Sequence, residues 1–233
     1  MDWWTSFFDE GYVEAWTAAG AFAHTEEQAD AIVSLLKLAS GAEILDVPCG
    51  FGRIAGALHE RGYAITGIDL SDSQLRLASE RHPGPRYLRR DMRRPPSGPY
   101  DAVLNIFSSI GYFEHRTDDL AALRAWFSVL RPGGVMLMEL AHRDQVAHAY
   151  GDEGLTAKGP VQETGTTDWV TGVRHATVTY ESLSKNFRLR LYTATELVEE
   201  LRGIGFSTLD VWGDLDGVTA LSPKTRLVIR AVK

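Results

Sequence analysis

Short hydrophobic runs alternate with amphipathic segments between residues 42 and 140. The run at 100–106 is apolar enough to be buried on both faces. The predicted strands are 42–47, 63–68, 86–89, 100–106 and 135–140, and the predicted helices between them are 53–61, 72–81 and 118–130. Gly or Pro follows each helical segment within two residues. This alternation predicts a parallel sheet with helices on both of its faces.

The pattern changes on either side of this unit. Two helices are expected before it, of which the second begins at a capping box, 25–28, and ends at Gly41. After residue 142 the chain becomes polar, and alternating stretches such as 174–180 predict antiparallel strands and loops. We expect this segment to be an insertion over the top of the sheet that ends near residue 191.

The last part of the chain returns to helix and strand. A second capping box at 193–196 starts a helix that ends at Gly203 or Gly205. The strands 207–212 and 225–232 follow it and are expected to pair as an antiparallel hairpin at the edge of the sheet.

The length of the chain, 233 residues, suits one domain, 1–233, because no internal repeat or low-complexity linker interrupts it. Within that domain we expect an N-terminal helical lid, 1–40, and an inserted substrate-binding cover, 142–191.

Composition narrows the possible partners and the compartment. The formal net charge of -7 argues against nucleic acid or an anionic membrane as the main partner, and the five arginines in 86–94 interleave with Asp91 as on a solvated rim. The single cysteine, Cys49, excludes an internal disulfide, and the histidines lack metal-binding spacing. Without a basic signal-peptide start or an apolar run near the ~20 residues of a membrane span, we expect a cytoplasmic protein.

The stretch ILDVPCGFGR, 44–53, predicts a strand that feeds a ligand-binding loop. The part from Gly50 to Ala55 formally matches the G-x-G-x-x-A fingerprint of NAD-binding folds. Asp46, however, stands at the end of the strand, where its charge would repel a pyrophosphate. A ligand with a cationic or zwitterionic group and no phosphate fits better, and S-adenosylmethionine, with its sulfonium and amino acid end, is such a ligand.

At these residues the chain resembles the class I S-adenosylmethionine-dependent methyltransferases of the small-molecule type. The motifs that carry the resemblance are 44–52, 67–71, 90–92, 100–105 and 130–134, with a similar tail from 191 to 233. The resemblance implies a Rossmann-like, doubly wound α/β fold. Its mostly parallel sheet would have seven strands, with a C-terminal antiparallel hairpin and a small antiparallel β insertion over the active site.

The resemblance also implies roles for individual residues. The acid of the second-strand motif, Asp69, would bind both ribose hydroxyls, and Asp91 would reach the adenine amino group. Pro48 departs from the family glycine, so the close approach to the ligand would rest on Gly50 and Gly52. The predicted donor site, with an aromatic lid at its start, is Tyr12, Trp16, Asp46, Pro48, Cys49, Gly50, Gly52, Asp69, Leu70, Asp91, Met92, Asn105 and Phe107.

The acceptor site is expected beyond the fourth and fifth strands. Methyl transfer needs a general base only if the acceptor must lose a proton, and His142 is the first choice for one, followed by Tyr112. The predicted acceptor-binding residues are Ser108, Tyr112, His115, His142, Arg190 and Tyr192. Arg188 and Arg190 suit an acidic acceptor, although alternating arginines on a strand are also typical of a solvated face.

The sequence therefore predicts an enzyme that moves a methyl group from S-adenosylmethionine to oxygen, nitrogen or carbon of a small molecule. Two alternatives stay open, namely a NAD-dependent oxidoreductase and a protein that binds the donor without catalysis. The acceptor and the oligomeric state are not predicted.

Overall fold

The computed structural model describes residues 3–150 and 155–233, which form eleven strands in two sheets and eight helices over those ranges. The strands are β1 (Glu43–Asp46), β2 (Ala64–Asp69), β3 (Arg86–Arg89), β4 (Tyr100–Ile106), β5 (Leu130–Leu140), β6 (Leu155–Lys158), β7 (Val161–Asp168), β8 (Val173–Tyr180), β9 (Leu183–Arg190), β10 (Thr208–Trp212) and β11 (Leu227–Val232). The helices are α1 (Trp4–Phe7), α2 (Glu10–Ala18), α3 (Thr25–Leu36), α4 (Arg53–Glu60), α5 (Asp72–Arg81), α6 (Arg116–Val129), α7 (Arg143–Tyr150) and α8 (Ala194–Ile204). Within the described ranges no helix has the length and apolarity to cross a membrane.

The larger sheet has seven strands in the order β10-β11-β5-β4-β1-β2-β3. β1 pairs in parallel with β2 on one side and β4 on the other, whereas β11 runs antiparallel to β5 and to β10. The strand order reverses at β1, so the carboxyl ends of β1 and β4 border the crevice in which open α/β sheets bind ligands. The predicted Rossmann-like sheet and its C-terminal hairpin are confirmed.

Two hydrophobic cores cover the two faces of this sheet. Ile44 and Leu104 belong to the core beneath α3 and α4, whereas their neighbours Leu45 and Val103 belong to the core beneath α6 and α8. Successive side chains of a strand point to opposite faces, so the central residues of β1 and β4 are apolar on both sides. Their continuous hydrophobic runs therefore reflect burial on both sides.

The smaller sheet is antiparallel, in the order β6-β7-β8-β9, and lies in the predicted insertion. α1 contacts β9 and α2 contacts β7, and Phe7 and Ala15 are buried with Val161 and Val178 in a third core. The aromatic side chains packed around this core are Trp3, Phe8, Tyr12, Trp16, Tyr180 and Phe187. Packing against the inserted sheet thus accounts for much of the aromatic N-terminus.

Local details correct several sequence expectations. Three helices, not two, precede β1, and α3 has no side-chain cap, because the Thr25 hydroxyl donates to the carbonyl of Phe22. α3 ends at Leu36, where Lys37 takes a left-handed conformation, well before Gly41. The sequence pattern predicted strand or loop at residues 143–150, where the structure has the helix α7. The capping box at Thr193, in contrast, is confirmed.

A buried carboxyl group fixes the loop that follows β4. Asp119 accepts the Gly111 N–H at 2.9 Å and the Tyr192 hydroxyl at 2.8 Å, and the Arg190 N–H donates to the Gly111 carbonyl at 2.8 Å. Burial raises the pKa of Asp119, and the Tyr192 and Gly111 hydrogen bonds oppose that rise. The loop after β4 is therefore held against the end of the inserted sheet by a carboxyl group that is costly to leave unpaired.

We predict that Tyr192→Phe lowers the free energy of unfolding by about 1–3 kcal/mol, because a buried acceptor loses its hydroxyl donor. Burial makes the folded protein hold the Asp119 proton more tightly than the unfolded chain does. The contribution of protonated Asp119 to the free energy of unfolding is thus present at low pH and lost as the pH rises through the folded-state pKa of Asp119. The substitution raises that pKa further, so its cost should be larger at neutral than at acid pH. Urea denaturation across this range measures the difference.

Tyr63→Phe is the matched control. Tyr63 is also buried, but its hydroxyl donates at 3.3 Å to the backbone carbonyl of Leu38, which does not titrate. Its cost should be smaller and independent of pH. An equal, pH-independent cost for both variants would contradict the role given to Asp119.

Candidate active site

A cavity of about 1050 Å³, the solvent at its mouth included, opens at the carboxyl ends of β1 to β4. Its wall combines strand-end acids, the loop after β1, and aromatic side chains from the N-terminal segment and from the loop after β4. The lining residues are Trp4, Phe8, Tyr12, Phe22, Asp46, Pro48, Cys49, Gly50, Phe51, Arg53, Ile54, Asp69, Leu70, Ser71, Gln74, Arg90, Asp91, Met92, Ile106, Phe107, Ser109, Tyr112 and Phe113. The three acids predicted at neighbouring strand ends thus line one cavity.

Asp46 is the last residue of β1, and its side chain is almost completely buried. Burial raises its pKa to about 7 and the charge of Asp69 raises it as well, while the Arg53 cation opposes them. A carboxyl group with this pKa is only partly ionised at neutral pH. A cation bound beside it would complete the ionisation, because opposite charge favours the charged form.

Asp69 ends β2 and ties the loop after β1 to the neighbouring strand. One carboxylate oxygen accepts the Gly50 N–H at 3.0 Å, and the other accepts the Ser71 N–H at 2.9 Å. Burial raises the pKa of Asp69, and these backbone donors counteract the rise. Each oxygen keeps a second lone pair, so the carboxylate can accept two further hydrogen bonds from a ligand.

The loop itself depends on two glycines for different reasons. Gly50 lies at φ 53° on the cavity wall, a left-handed conformation that glycine adopts without strain. Gly52, at φ 80°, does not line the cavity, and a Cβ there would lie 2.5 Å from the Tyr87 hydroxyl and 2.9 Å from the Ala78 side chain. Gly52 therefore allows α4 to start against α5 and β3, which is not the contact with the ligand that the sequence led us to expect.

Asp91 lies just after β3 and is already paired. The Arg93 guanidinium donates to it at 2.6 Å, contacts Asp118 at 2.9 Å, and stacks on the ring of Phe113 with 4.5 Å to the centroid. Burial acts to raise the pKa of Asp91, but the hydrogen bonds from Arg93 keep it below the ordinary value. Asp91 is thus a fixed, ionised acceptor on the cavity wall.

Aromatic rings form a further part of the wall. Tyr12 lines the cavity, whereas Trp16 packs edge-on against Tyr12, with 5.8 Å between ring centroids, and does not reach it. Of the rings that sequence reasoning did not name, Phe22 and Phe51 come from the loops before α3 and after β1, and Phe113 from the loop after β4. They lie far apart in the chain, so no local pattern marks them.

Arg53 is a further residue that the sequence analysis missed. It starts α4, lies buried in the wall, and donates to the Thr25 hydroxyl and the Gln28 amide oxygen. Its guanidinium carbon lies 5.3 Å from the centroid of the Phe22 ring and 5.7 Å from that of Phe107. Its place directly after the loop was the only available signal. It supplies the positive charge that limits the rise in the pKa of Asp46.

Several predicted residues lie behind the wall. The Asn105 amide donates to the Val47 carbonyl at 2.7 Å, and the Ser108 hydroxyl accepts the Ala141 N–H at 2.7 Å. His142 is buried with one ring nitrogen 3.1 Å from the Thr225 carbonyl. The Tyr192 hydroxyl is bound to Asp119. None of these four side chains reaches the cavity, and the position of His142 does not suit a general base there.

His115 and Arg190 line a second cavity, which adjoins the first. Tyr112 lines both cavities and is the one predicted acceptor-site residue on the wall of the first. Burial raises its pKa, so its hydroxyl stays protonated at neutral pH and donates hydrogen bonds instead of accepting a proton.

The first cavity suits S-adenosylmethionine better than a dinucleotide. Asp46 offers a buried carboxyl group to a cationic end, and Asp69 offers free lone pairs to a pair of hydroxyls. A diphosphate would instead face these carboxylates, which costs free energy in a buried site.

Comparison with known proteins agrees with this fit. The model of the family described as methyltransferase domain matches residues 44–134. The malonyl-[acyl-carrier protein] O-methyltransferase of Serratia marcescens is 30% identical over 210 residues, which are 87% of this chain and 75% of that protein. This family match excludes the alternative that the protein is a NAD-dependent oxidoreductase.

Solved structures share the fold. An S-adenosylmethionine-dependent methyltransferase from Clostridium acetobutylicum has a TM-score of 0.76 at 15% identity, with 91% of each chain covered. The S-adenosylmethionine-bound amino pentose methyltransferase CalS10 from Micromonospora echinaspora has a TM-score of 0.71 at 22% identity, covering 96% of this chain and 97% of that one. These similarities in fold agree with the geometry of the first cavity. Together with the family model and the Serratia relative, they show that the chain belongs to the class I S-adenosylmethionine-dependent methyltransferases.

Proposed function

We propose that this methyltransferase acts on a small-molecule acceptor, and that Asp46, Asp69 and Asp91 hold the donor. The observation that carries the proposal is the presence of all three carboxyl groups in one cavity with an aromatic wall. Asp69 would accept the ribose hydroxyls, Asp91 the adenine amino group, and Asp46 would face the cationic amino acid end. Electron-rich ring faces such as that of Tyr12 also favour a cation.

The bound donor would supply a methyl group on a positively charged sulfur, and this sulfur is a good leaving group. The lone pair of the acceptor forms the new bond to the methyl carbon, and the electron pair of the broken bond returns to sulfur. Neither His142 nor the protonated Tyr112 supplies a base at the cavity. The contribution of the chain to the reaction would therefore be the alignment of donor and acceptor and the exclusion of water. Acceptors that are nucleophilic without losing a proton first are therefore the best candidates.

The cover of the cavity supports a small acceptor. Trp4, Phe8 and Tyr12 come from α1, the turn after it and α2, and this N-terminal segment also packs on the inserted sheet. We propose that 1–40 and 142–191 close over the site as lid and cover within one domain, 1–233. Residues 1–2 and 151–154 of these segments lie outside the described residues.

Proteins similar to this chain are named for the methylation of oxygen or of nitrogen. The Serratia protein is named as an O-methyltransferase of malonyl-[acyl-carrier protein], and a structural neighbour from Streptoalloteichus is named as a sugar N-methyltransferase. The fold and the donor site are shared across such reactions, so the acceptor atom must be identified from the acceptor cavity.

We predict that Asp69→Asn weakens equilibrium binding of S-adenosylhomocysteine about 10- to 100-fold, because hydrogen bonds from the ligand to a carboxylate are lost. Isothermal titration calorimetry measures the affinity. Asp210→Asn is the control, since Asp210 pairs with Arg230 on the edge hairpin, away from the cavity, and should keep wild-type affinity. Equal affinity for wild type and Asp69→Asn would remove Asp69 from the donor site.

We also predict that binding of S-adenosylmethionine releases about half a proton from Asp46 at pH 7, because a cation shifts the carboxyl group to its ionised form. The pKa of Asp46 in the free protein is about 7, so the release should grow as the pH falls slightly below 7 and vanish above 9, where the group is already ionised. Calorimetry in buffers of different ionisation enthalpy counts the protons. Asp46→Asn should abolish the release, and a variant that releases the same number of protons would show that another group titrates.

A further inference from the structure

The second cavity lies beside the donor cavity, and Trp4 and Tyr112 line both. Arg188 and Arg190 of β9 and His115 of the loop before α6 close it on the far side. A molecule in this cavity would therefore lie next to the donor cavity, with Trp4 and Tyr112 at the boundary.

The two arginines face the same side of the inserted sheet, because they occupy alternate positions of one strand. Arg188 donates to the Phe113 carbonyl at 2.6 Å and to the Glu114 carbonyl at 3.1 Å, and Arg190 donates to the Thr171 carbonyl at 3.1 Å. Throughout 3–150 and 155–233, no carboxylate oxygen lies within 4.0 Å of either guanidinium. Backbone carbonyls orient both groups without neutralising their charge.

The two acids that line the cavity form no ion pair with either arginine, although the charges of the buried Asp119 and of Glu114 favour the cationic form of Arg188 at longer range. Asp168 is committed to the turn between β7 and β8, where its oxygens accept the Val170 N–H at 2.9 Å and the Thr171 hydroxyl at 2.8 Å. Glu114 is exposed, and only its backbone carbonyl accepts from Arg188. Burial and the Arg190 cation lower the pKa of Arg188, but a guanidinium does not lose its proton in proteins. The two cations therefore repel each other, and an anion bound between them would offset that repulsion.

We propose that this cavity binds an anionic group of the methyl acceptor, a carboxylate or a phosphate, between Arg188 and Arg190. The assignment rests on the proposed function for its choice of an acceptor, and it narrows the substrate class to small acids. Trp4 and Tyr112 would then separate the anionic end from the nucleophile that meets the methyl group.

The test measures anion binding directly. Benzoate with benzamide, and phenyl phosphate with phenol, are pairs that differ in charge and resemble each other in shape. Each is titrated into the free protein and into protein saturated with S-adenosylhomocysteine. At least one charged member should bind about 10-fold or more tightly than its neutral partner. Which pair shows the preference tells a carboxylate from a phosphate.

The double variant Arg188→Gln/Arg190→Gln should lose this preference, and Arg188→Lys/Arg190→Lys should retain part of it because it keeps the charge. Arg131→Gln, which removes an exposed arginine paired with Asp101 at the amino ends of β4 and β5, should behave as wild type. Thermal unfolding shows whether each variant is folded. Equal binding of charged and neutral partners by wild type, or a preference that survives in the glutamine variant, would overturn the inference.

Donor binding separates this result from the proposed function. The affinity for S-adenosylhomocysteine should be unchanged in Arg131→Gln and should fall much less than the anion preference in the double variants, because neither arginine lines the donor cavity and Arg188 touches its wall only through the Phe113 carbonyl. Wild-type protein that binds the anion but not S-adenosylhomocysteine would refute the donor site and leave the anion site standing. Wild-type protein that binds S-adenosylhomocysteine but shows no anion preference would refute the anion site and leave the donor site standing.

Discussion

The buried carboxyl group of Asp46 is the constraint around which the site is organised. A carboxylate at the end of a central strand cannot be solvated, and its ionisation costs free energy that burial and Asp69 both increase. Arg53 offsets part of that cost, and the backbone donors to Asp69 hold the second acid in place. A bound cation would favour the ionised form of both acids, whereas an anionic cofactor would increase the cost.

The same region links the sheet to its covers. The loop after β4 leaves the strand through Phe107 and Ser108, both at positive φ, and the Glu139 carboxylate accepts the Phe107 N–H at 3.0 Å. Asp119 then holds Gly111 against the end of the inserted sheet. Left-handed conformations cost such residues free energy and persist only where the surroundings fix them. The wall between the two cavities is thus tied both to the sheet and to its cover.

Much of the donor site follows from the sequence because its signals are local. Asp46 and Asp69 end apolar runs, and parallel strands bring such ends to one edge of the sheet. The outcome for His142 and Gly52 depended on contacts with Thr225 and Tyr87, which no nearby pattern encodes. Thr25 matched a capping box, yet its hydroxyl bonds to Phe22 instead of a helix N–H. Local patterns therefore predicted most elements of the larger sheet, whereas tertiary contacts decided which side chains reach the cavity.

A crystal structure of the protein with S-adenosylhomocysteine tests the central claim most directly. The account predicts the ligand in the first cavity, with its ribose hydroxyls on Asp69, its amino group facing Asp46 and its adenine near Asp91. A nucleoside bound elsewhere, or a diphosphate cofactor occupying this cavity, would contradict it.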